Sequence, residues 1–511
     1  MNEESKQSLE WLFRRMTDNK VTKTISVSCL QFDDTGKGKI VDLFANWADI
    51  IACSTGSDNV GHTVVCNGKS RVFYLIPASI IYDANNKYNV IGSGTVLYPK
   101  TLVDEIAFLH TEGLTTKHLR IALNAKLIMP YHIVLDCLSA ADKVIDIAGK
   151  GMESAYVDFI ARRGLVVNDL LNPEIFRIKL EKSIKQANLL LRDFDREMIK
   201  EVLFQSSLEN GFYYHEPTDE TDHCFFELDN IIAKYCQYGQ VLAPYITDTD
   251  TFLRRKLGKK NILLEGTQGS LLDIDYGVYP YVTSNNWTLA GLAKGVGLKE
   301  SDIDISFGII KGFYMTRVGA GPLPTELGGE ASAAWCNGNG SREQEAMMTD
   351  LCFNKTDEFK QGVLIRRRGE EYDVITGQPR RVAWLDLPLL RVALETGAKN
   401  IILTKLDVLT GVEKIKICDV YRYEGPDYYY GKKKLKKGSI LRKAIVIPEV
   451  LKYCVPIYHE FAGWEEDIRE IKYFNNLPAN LMEIFIFLFE KINALPWIIS
   501  TGPDRKNTIF L

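Results

Sequence analysis

Gln31-Phe32-Asp33-Asp34-Thr35-Gly36-Lys37-Gly38-Lys39 follows an apolar, β-branched run over residues 24–30 and precedes Ile40-Val41-Asp42-Leu43-Phe44. The run before it reads as a buried strand, and the residues after it as the first turns of a helix. A strand, a Gly/Lys turn and a helix start form a cradle for a polyphosphate. Backbone N–H groups converge there, the helix dipole favours anions, and glycine admits close approach. The turn is not a Walker A loop, because neither Lys37 nor Lys39 is followed by Ser or Thr. Taken alone, it also fits an ordinary solvated strand-to-helix loop.

Composition narrows the class. The chain has 511 residues, 46% hydrophobic and 25% charged, with a formal net charge of −4. That is ample for a large core, and it offers no whole-chain basic field for nucleic acid. Ten cysteines are scattered without a CxxC pair or zinc-ligand spacing, so reduced, buried thiols and a cytoplasmic setting are expected. The acidic start, Met1-Asn2-Glu3-Glu4-Ser5, is not a signal peptide. Residues 481–499 are the most apolar region, but Glu483, Glu490, Lys491 and Pro496 interrupt them. They read as a core helix rather than a membrane span.

Along the chain, residues 1–22 read as a helical arm that packs through Trp11, Leu12, Phe13 and Met16. A second strand over 50–53 leads to Asp58-Asn59-Val60-Gly61-His62-Thr63, a turn from which side chains can point at a ligand. Residues 127–132 read as a strand ending at Pro130, and Ala161-Arg162-Arg163-Gly164 as either a solvated helix end or a phosphate clamp. Residues 174–257 are helical by pattern. Residues 261–266 and 305–314 read as strands, each running into a Gly-rich or polar turn. Residues 328–372 read as a surface insertion. Trp384-Leu385-Asp386 opens a helix with Asp386 as N-cap and Gly397 as stop, and 400–404 is a further strand. The Tyr- and Lys-rich stretch 428–438 reads as an exposed hairpin tip. Strands alternating with helices predict an α/β fold with a large, mainly parallel central sheet flanked by helices.

Nine stretches then resemble the adenylosuccinate synthetase family, in family order: Asp34 to Leu43, Gly61 to Val65, Ala161 to Leu165, Glu265 to Asp275, Tyr279 to Ser284, Thr316 to Pro322, Trp384 to Asp386, Thr404 to Leu409 and Ser500 to Arg505. The resemblance runs from about 27 to 505. It implies one large domain over 23–511, with residues 1–22 an added arm. It also implies a GTP-dependent ligase that joins L-aspartate to the 6-position of IMP through a 6-phosphoryl intermediate. Asp34 matches the catalytic base, His62 the acid or electrophile at the 6-oxygen, and Lys37 the phosphoryl-stabilising lysine. Gly36, Gly38, Lys39, Thr63, Lys405, Asp407, Ser500, Gly502 and Pro503 match the GTP-binding positions. One Asp407 carboxylate can accept from both N1–H and the 2-amino group of guanine. Asn59, Gln268, Leu272, Thr283 and Val318 match the positions that hold IMP or a related purine nucleotide, with Arg162 reaching in from the second subunit of a homodimer. Thr376, Gln378 and Arg380 match the positions that hold aspartate. The Asp34 carboxylate and the Gly61 carbonyl are the implied Mg2+ contacts. Neither nucleic acid nor a membrane is an expected partner.

The chain departs from the family pattern in places. Ile147-Ala148 replace a Thr-Thr pair, Thr35 replaces Glu, Phe159 stands where Lys is frequent, Ile375 replaces Thr, and Gln378 replaces Arg. Those departures keep two other readings open. One is a specialised relative using a deoxy or other 6-oxopurine nucleotide such as dGMP or dIMP, in a viral or defence pathway. The other is a catalytically weak GTP-binding regulator.

Overall fold

The computed structural model describes residues 3–32, 35–57, 61–66, 69–141, 149–215, 225–349, 351, 353, 357–373, 377–398, 400–494 and 496–511. They fall into two compact units: Met1–Trp47 with Gln268–Leu289 and Asp304–Leu511, and Ala48–Thr267 with Ala290–Ile303.

In the first unit, Thr24–Cys29 pairs in parallel with Ile305–Lys311, which pairs in parallel with Asn400–Thr404, which pairs in parallel with Pro496–Ser500. Thr508–Phe510 closes that edge antiparallel. Thr24–Cys29 is buried at every position, as a β-branched strand covered on both faces should be. A smaller sheet sets Tyr314–Arg317 antiparallel to Arg381–Asp386, which runs parallel to Lys414–Tyr423, itself antiparallel to Cys454–Ala462. Leu30, Ile310, Leu385, Leu403 and Phe485 belong to one continuous core here. Each such side chain contributes about 1.5–3 kcal/mol by leaving water.

The N-terminal arm is the Glu3–Met16 helix. Leu9, Leu12 and Phe13 are buried, at the i, i+3, i+4 spacing of one helix face. The Phe13 ring meets Phe44 and Trp47 edge-on at 5.8 and 5.1 Å. Trp11, expected in that packing, is exposed instead, because it lies on the opposite face.

The second unit is built the same way. Ile262–Gly269 up to Thr267, Ile50–Gly56, Tyr88–Leu97, Leu119–Ala122 and Ile246–Thr247 follow one another in parallel register. Helices Pro99–Thr111, Pro173–Leu190 and Leu228–Leu242 supply its larger core.

Three local readings change. The strand read over 127–132 is only Lys126–Leu127, and Pro130 opens the Pro130–Ala141 helix, since proline suits a first helical position. The Met129 N–H donates to His132 Nδ1 at 3.0 Å, which leaves Nε2 to donate to Asp158 Oδ2 at 3.2 Å. The 305–314 strand is two, Ile305–Lys311 and Tyr314–Arg317, which lie in different sheets. Trp384 and Leu385 end a strand, and the helix starts at Leu387. Asp386 is its N-cap as read, accepting from the Leu389 N–H at 3.0 Å. Burial pushes its carboxyl up to about 6, against the hydroxyls of Tyr421 and Thr325. Tyr428–Tyr430 and Lys433–Leu435 form the predicted hairpin. No helix of the described residues is long and apolar enough to cross a membrane.

Candidate active site

The first unit carries most of the predicted site. The Thr24–Cys29 strand leads through the turn into the Lys37–Ala45 helix. Gly36 is the residue before that helix, at φ 75°, a conformation that favours glycine. The turn is fastened by Thr404, whose Oγ1 donates to the Thr35 carbonyl at 2.6 Å. Lys37 is buried. Lys39 reaches the other way: its Nζ donates to Ser500 Oγ, the Gly502 carbonyl and the Asn507 carbonyl at 2.7, 2.7 and 2.8 Å. Burial lowers its pKa to about 7, while Asp407 and Asp504 act to raise it. Arg505 adds an ion pair to Asp42 on the same helix. Thus the 36–39 turn and the 500–507 loop, more than 450 residues apart in sequence, are one structure.

Beside them, the Asn400–Thr404 strand ends in Lys405 at φ 55°, and Leu406–Leu409 turns as a short 3₁₀ helix. Asp407 lines a cavity of about 420 Å³ together with Arg368, Val408, Thr410, Gly411, Glu465, Asp467 and Arg469. Burial raises the Asp407 carboxyl pKa, opposed by Lys39, Lys405 and Arg469. The two oxygens of such a carboxylate can accept from two adjacent donors.

Most of the residues assigned to the nucleotide lie in or near the 268–289 segment. Thr283 Oγ1 donates to the Leu272 carbonyl at 3.0 Å and accepts from Trp287 Nε1 at 2.7 Å. Gln268 is buried, and its Oε1 has no hydrogen-bond partner among the described residues, a deficit that a ligand donor would fill. Gly269 is required here. A Cβ at that position would lie 2.0 Å from the Gln31 carbonyl. Val318 is exposed on a loop braced from beneath: Arg381 Nη1 donates to the carbonyls of Gly319 and Gly321 at 2.9 and 2.8 Å.

On the amino-acid side, Arg380 is buried and its Nη1 donates to Glu371 Oε2 at 3.3 Å. Gln378 Nε2 donates to the Cys336 carbonyl at 2.7 Å. That carbonyl belongs to a segment read as a surface insertion. The described part of 328–372 is helical, with Gly329–Ala334, Arg342–Met347 and Glu358–Gly369. Its inner face holds a fully buried Arg366–Glu345 ion pair, with Trp335 and Tyr372 also donating to Glu345 at 2.8 and 2.7 Å.

The remaining assignments lie in the second unit or outside the described residues. Gly61 precedes the His62–Cys66 strand, which pairs antiparallel with Lys69–Phe73, so that His62 faces Phe73 and Thr63 faces Val72 in register. Arg162 is exposed at φ 63° just past the Met152–Ile160 helix, next to exposed Val157, Phe159 and Ile160. Asp34, Asn59, Thr376 and the Ile147-Ala148 pair lie outside the described residues.

Comparison with known proteins decides what this arrangement is. The family profile described as Adenylosuccinate synthetase matches residues 26–509. The chain belongs to the adenylosuccinate synthetase family. It is 36% identical over 486 residues to an adenylosuccinate synthetase of Halothermothrix orenii, covering 94% of this chain and 96% of that one. It is 37% identical over 484 residues to that of Geobacillus kaustophilus, with the same coverages. A structure of fully ligated adenylosuccinate synthetase from Plasmodium falciparum superposes with a TM-score of 0.73 at 27% identity, over 96% of this chain and all of that one. A cyanophage S-2L succinoaminodeoxyadenylate synthetase bound to dGMP and dATP reaches a TM-score of 0.50 at 15% identity, a likeness of fold alone.

Within this adenylosuccinate synthetase fold, several charged and polar residues that the sequence did not single out organise the site. Glu371, Lys311, Arg381 and Asn507 are all buried and bonded. The available signal was a lysine closing an apolar strand at 305–311, a place where an unpaired charge is costly.

Proposed function

We propose that this chain is a ligase that uses GTP to condense L-aspartate with IMP, giving adenylosuccinate, GDP and inorganic phosphate. The observation that carries the reading is Lys39, which joins the 36–39 turn to the 500–507 loop while Thr404 ties the turn to the strand ending in Lys405 and Asp407. A triphosphate held at the turn then has a base-reading carboxylate on the same assembly.

The reaction follows in two steps. The 6-oxygen of IMP attacks the γ-phosphorus of GTP as the N1 proton leaves, and the Asp34 carboxylate is the base that takes it. The aspartate amine then attacks C6 and the phosphate departs with the former 6-oxygen. His62 is the acid that stabilises charge there. Lys37 and the N–H groups of the turn stabilise the moving phosphoryl group. Gln268, Leu272, Thr283, Val318 and Asn59 are assigned to the nucleotide, and Thr376, Gln378 and Arg380 to the aspartate carboxylates. The donor set suits Mg2+, a carboxylate (Asp34) and a carbonyl (Gly61) being the hard oxygens that ion takes alongside phosphates. When bound, it would neutralise charge on the transferred group.

Arg162 is assigned to the nucleotide phosphate of a second subunit. Its exposure, and that of the apolar side chains preceding it, supports a homodimer. Buried cysteines outside any disulfide, such as Cys418 and Cys454, are in keeping with a cytoplasmic location.

The test is direct. Purified protein with Mg2+, GTP and aspartate is offered IMP, dIMP, GMP and dGMP in turn, and product mass is recorded. IMP should give adenylosuccinate, and Asp34→Asn should lower turnover by about 10²–10⁴-fold. Near wild-type turnover in that variant removes Asp34 from the role.

A further inference from the structure

The centre of the first unit holds a carboxylate to which no role has been given. Glu371 is fully buried. Four side chains donate to it: Lys311 Nζ and Arg380 Nη1 to Oε2 at 2.7 and 3.3 Å, Tyr314 Oη and Lys405 Nζ to Oε1 at 2.8 Å each. Burial by itself would push this carboxyl up. Lys311, Lys405 and Arg380 together outweigh it and hold the group well below the usual carboxylate range.

The four donors are of two kinds. Lys311 and Tyr314 stand on strands of the core and are inaccessible to solvent. Lys311 also donates to Thr316 Oγ1. They fix the carboxylate. Lys405 and Arg380 keep 25% and 9% of their side chains accessible, and these are the two residues assigned to guanine and to the amino acid. Glu371 also closes the loop that carries Gln378 and Arg380. The Arg380 N–H donates to the Glu371 carbonyl at 3.0 Å, and the Asp373 N–H to the Gln378 carbonyl at 2.8 Å. The preceding turn contributes too, since Lys405 Nζ donates to the Gly369 carbonyl at 2.8 Å. Three cations around one carboxylate leave two positive charges over. An incoming dicarboxylate is attracted to that surplus, while Glu371 keeps the cations from repelling one another out of place.

We propose that Glu371 is a positioning residue that holds Arg380 and Lys405 to a single buried carboxylate, so that the amino-acid site and the guanine site are set together. The proposal rests on the ligase reading above. Because Thr283 bonds to Leu272 and Trp287 rather than to this cluster, the nucleotide monophosphate should not feel its loss.

The experiment uses the full chain with Glu371→Gln, Tyr314→Phe and Arg380→Lys. In Glu371→Gln, the KM values for aspartate and GTP should both rise, by roughly 10- to 150-fold for a lost charge-assisted hydrogen bond, with the KM for IMP unmoved. Arg380→Lys should move aspartate alone. Tyr314→Phe removes one neutral donor and should move the same two KM values in the same direction by less. It decides the matter if Glu371→Gln does not fold. An unchanged GTP KM in whichever of the two variants folds overturns the proposal, as does a parallel loss for IMP. If the wild type makes no adenylosuccinate, the ligase reading fails by itself. GTP affinities of wild type and variants by calorimetry then decide: weakening in the variants supports the link to Lys405, and equal affinities, or no GTP binding at all, overturn it.

Discussion

The ends of this site assigned to guanine and to the amino acid carry opposite electrostatic deficits. At the guanine end Asp407 lines a cavity, and burial raises its pKa against three cations that only partly offset it. The neighbouring ammonium of Lys39 is already bonded to three oxygens. What is missing there is a pair of hydrogen-bond donors. At the amino-acid end, Lys311, Lys405 and Arg380 surround the one carboxylate of Glu371. What is missing there is negative charge. A purine edge bearing N1–H and an amino group answers the first deficit, and a dicarboxylic amino acid answers the second. Neither ligand would be content at the other's end, so the two ends discriminate by charge before shape is considered.

The sharpest way to break this contrast is Asp407→Asn. The amide offers one acceptor and turns a donor toward the ring, so both charge-assisted bonds to guanine are lost. At about 1.5–3 kcal/mol each, the loss in kcat/KM for GTP should be roughly 10²- to 10⁴-fold. The KM for aspartate should move far less, because Asp407 meets the Glu371 cluster at the charge of Lys405 rather than at Arg380. Steady-state kinetics with GTP and ATP checks both halves. A rise in the aspartate KM as large as the loss for GTP would mean that Asp407 also sets the amino-acid end, and equal use of ATP and GTP by the wild type would remove Asp407 as the base reader.

How much of this was legible follows the range of the contacts. The 31–39 turn could be read because strand, glycine and helix start lie within one stretch, and Gly36 does stand at positive φ before the helix. Asp386 could be read as a cap for the same local reason. Its neighbours Trp384 and Leu385 could not, since an apolar pair beside a cap looks like a first helical turn until Tyr314 is found paired with Trp384 across the sheet. Glu371 was the hardest. It lies in the stretch 328–372 read as a surface insertion, and its neighbour Glu370 is exposed. Only the fold brings Lys311, 60 residues earlier in sequence, to Glu371. The same holds for Glu345 and Arg366, charged residues in a stretch read as a surface insertion that turn out to form its buried pair. The family resemblance supplied the residues assigned to ligands, but not the residues that hold them.

Protons sharpen the guanine end further. A lysine whose folded pKa is lowered to about 7 is charged in both folded and unfolded states below pH 7. Above that it is neutral in the fold and still charged when unfolded, so its destabilising burial is relieved as pH rises from about 7 toward 10. A triphosphate near Lys39 favours the charged form and draws a proton back. GTP binding should therefore take up close to one proton per chain at about pH 8 and almost none near pH 6. Calorimetry in buffers of differing ionisation heat measures it. Lys39→Met should abolish the uptake, and persistence of the uptake in that variant would assign the proton elsewhere.

The smallest effect is expected at Gln378, where the chain departs from its family beside the amino-acid end. An arginine there would add a further cation near the aspartate carboxylates and the ribose. Gln378 has instead been drawn into the scaffold. Its Nε2 donates to the Cys336 carbonyl, and its own carbonyl accepts from the Asp373 N–H, closing the loop that Arg380 ends. The side chain at 378 is therefore first a brace, and only secondarily a ligand contact. Gln378→Arg gains charge toward the ligand but gives up a neutral hydrogen bond of about 0.5–1.5 kcal/mol. The two changes oppose each other. The KM for aspartate should fall by less than about 10-fold, and the preference for IMP over dIMP should shift toward IMP by a similar factor. The comparison is kcat/KM for the two nucleotides and the aspartate KM, in wild type and variant. A much larger fall in aspartate KM would mean that charge, not loop geometry, limits the amino-acid end. No change at all would mean that Arg380 and the Glu371 cluster already supply everything that end requires.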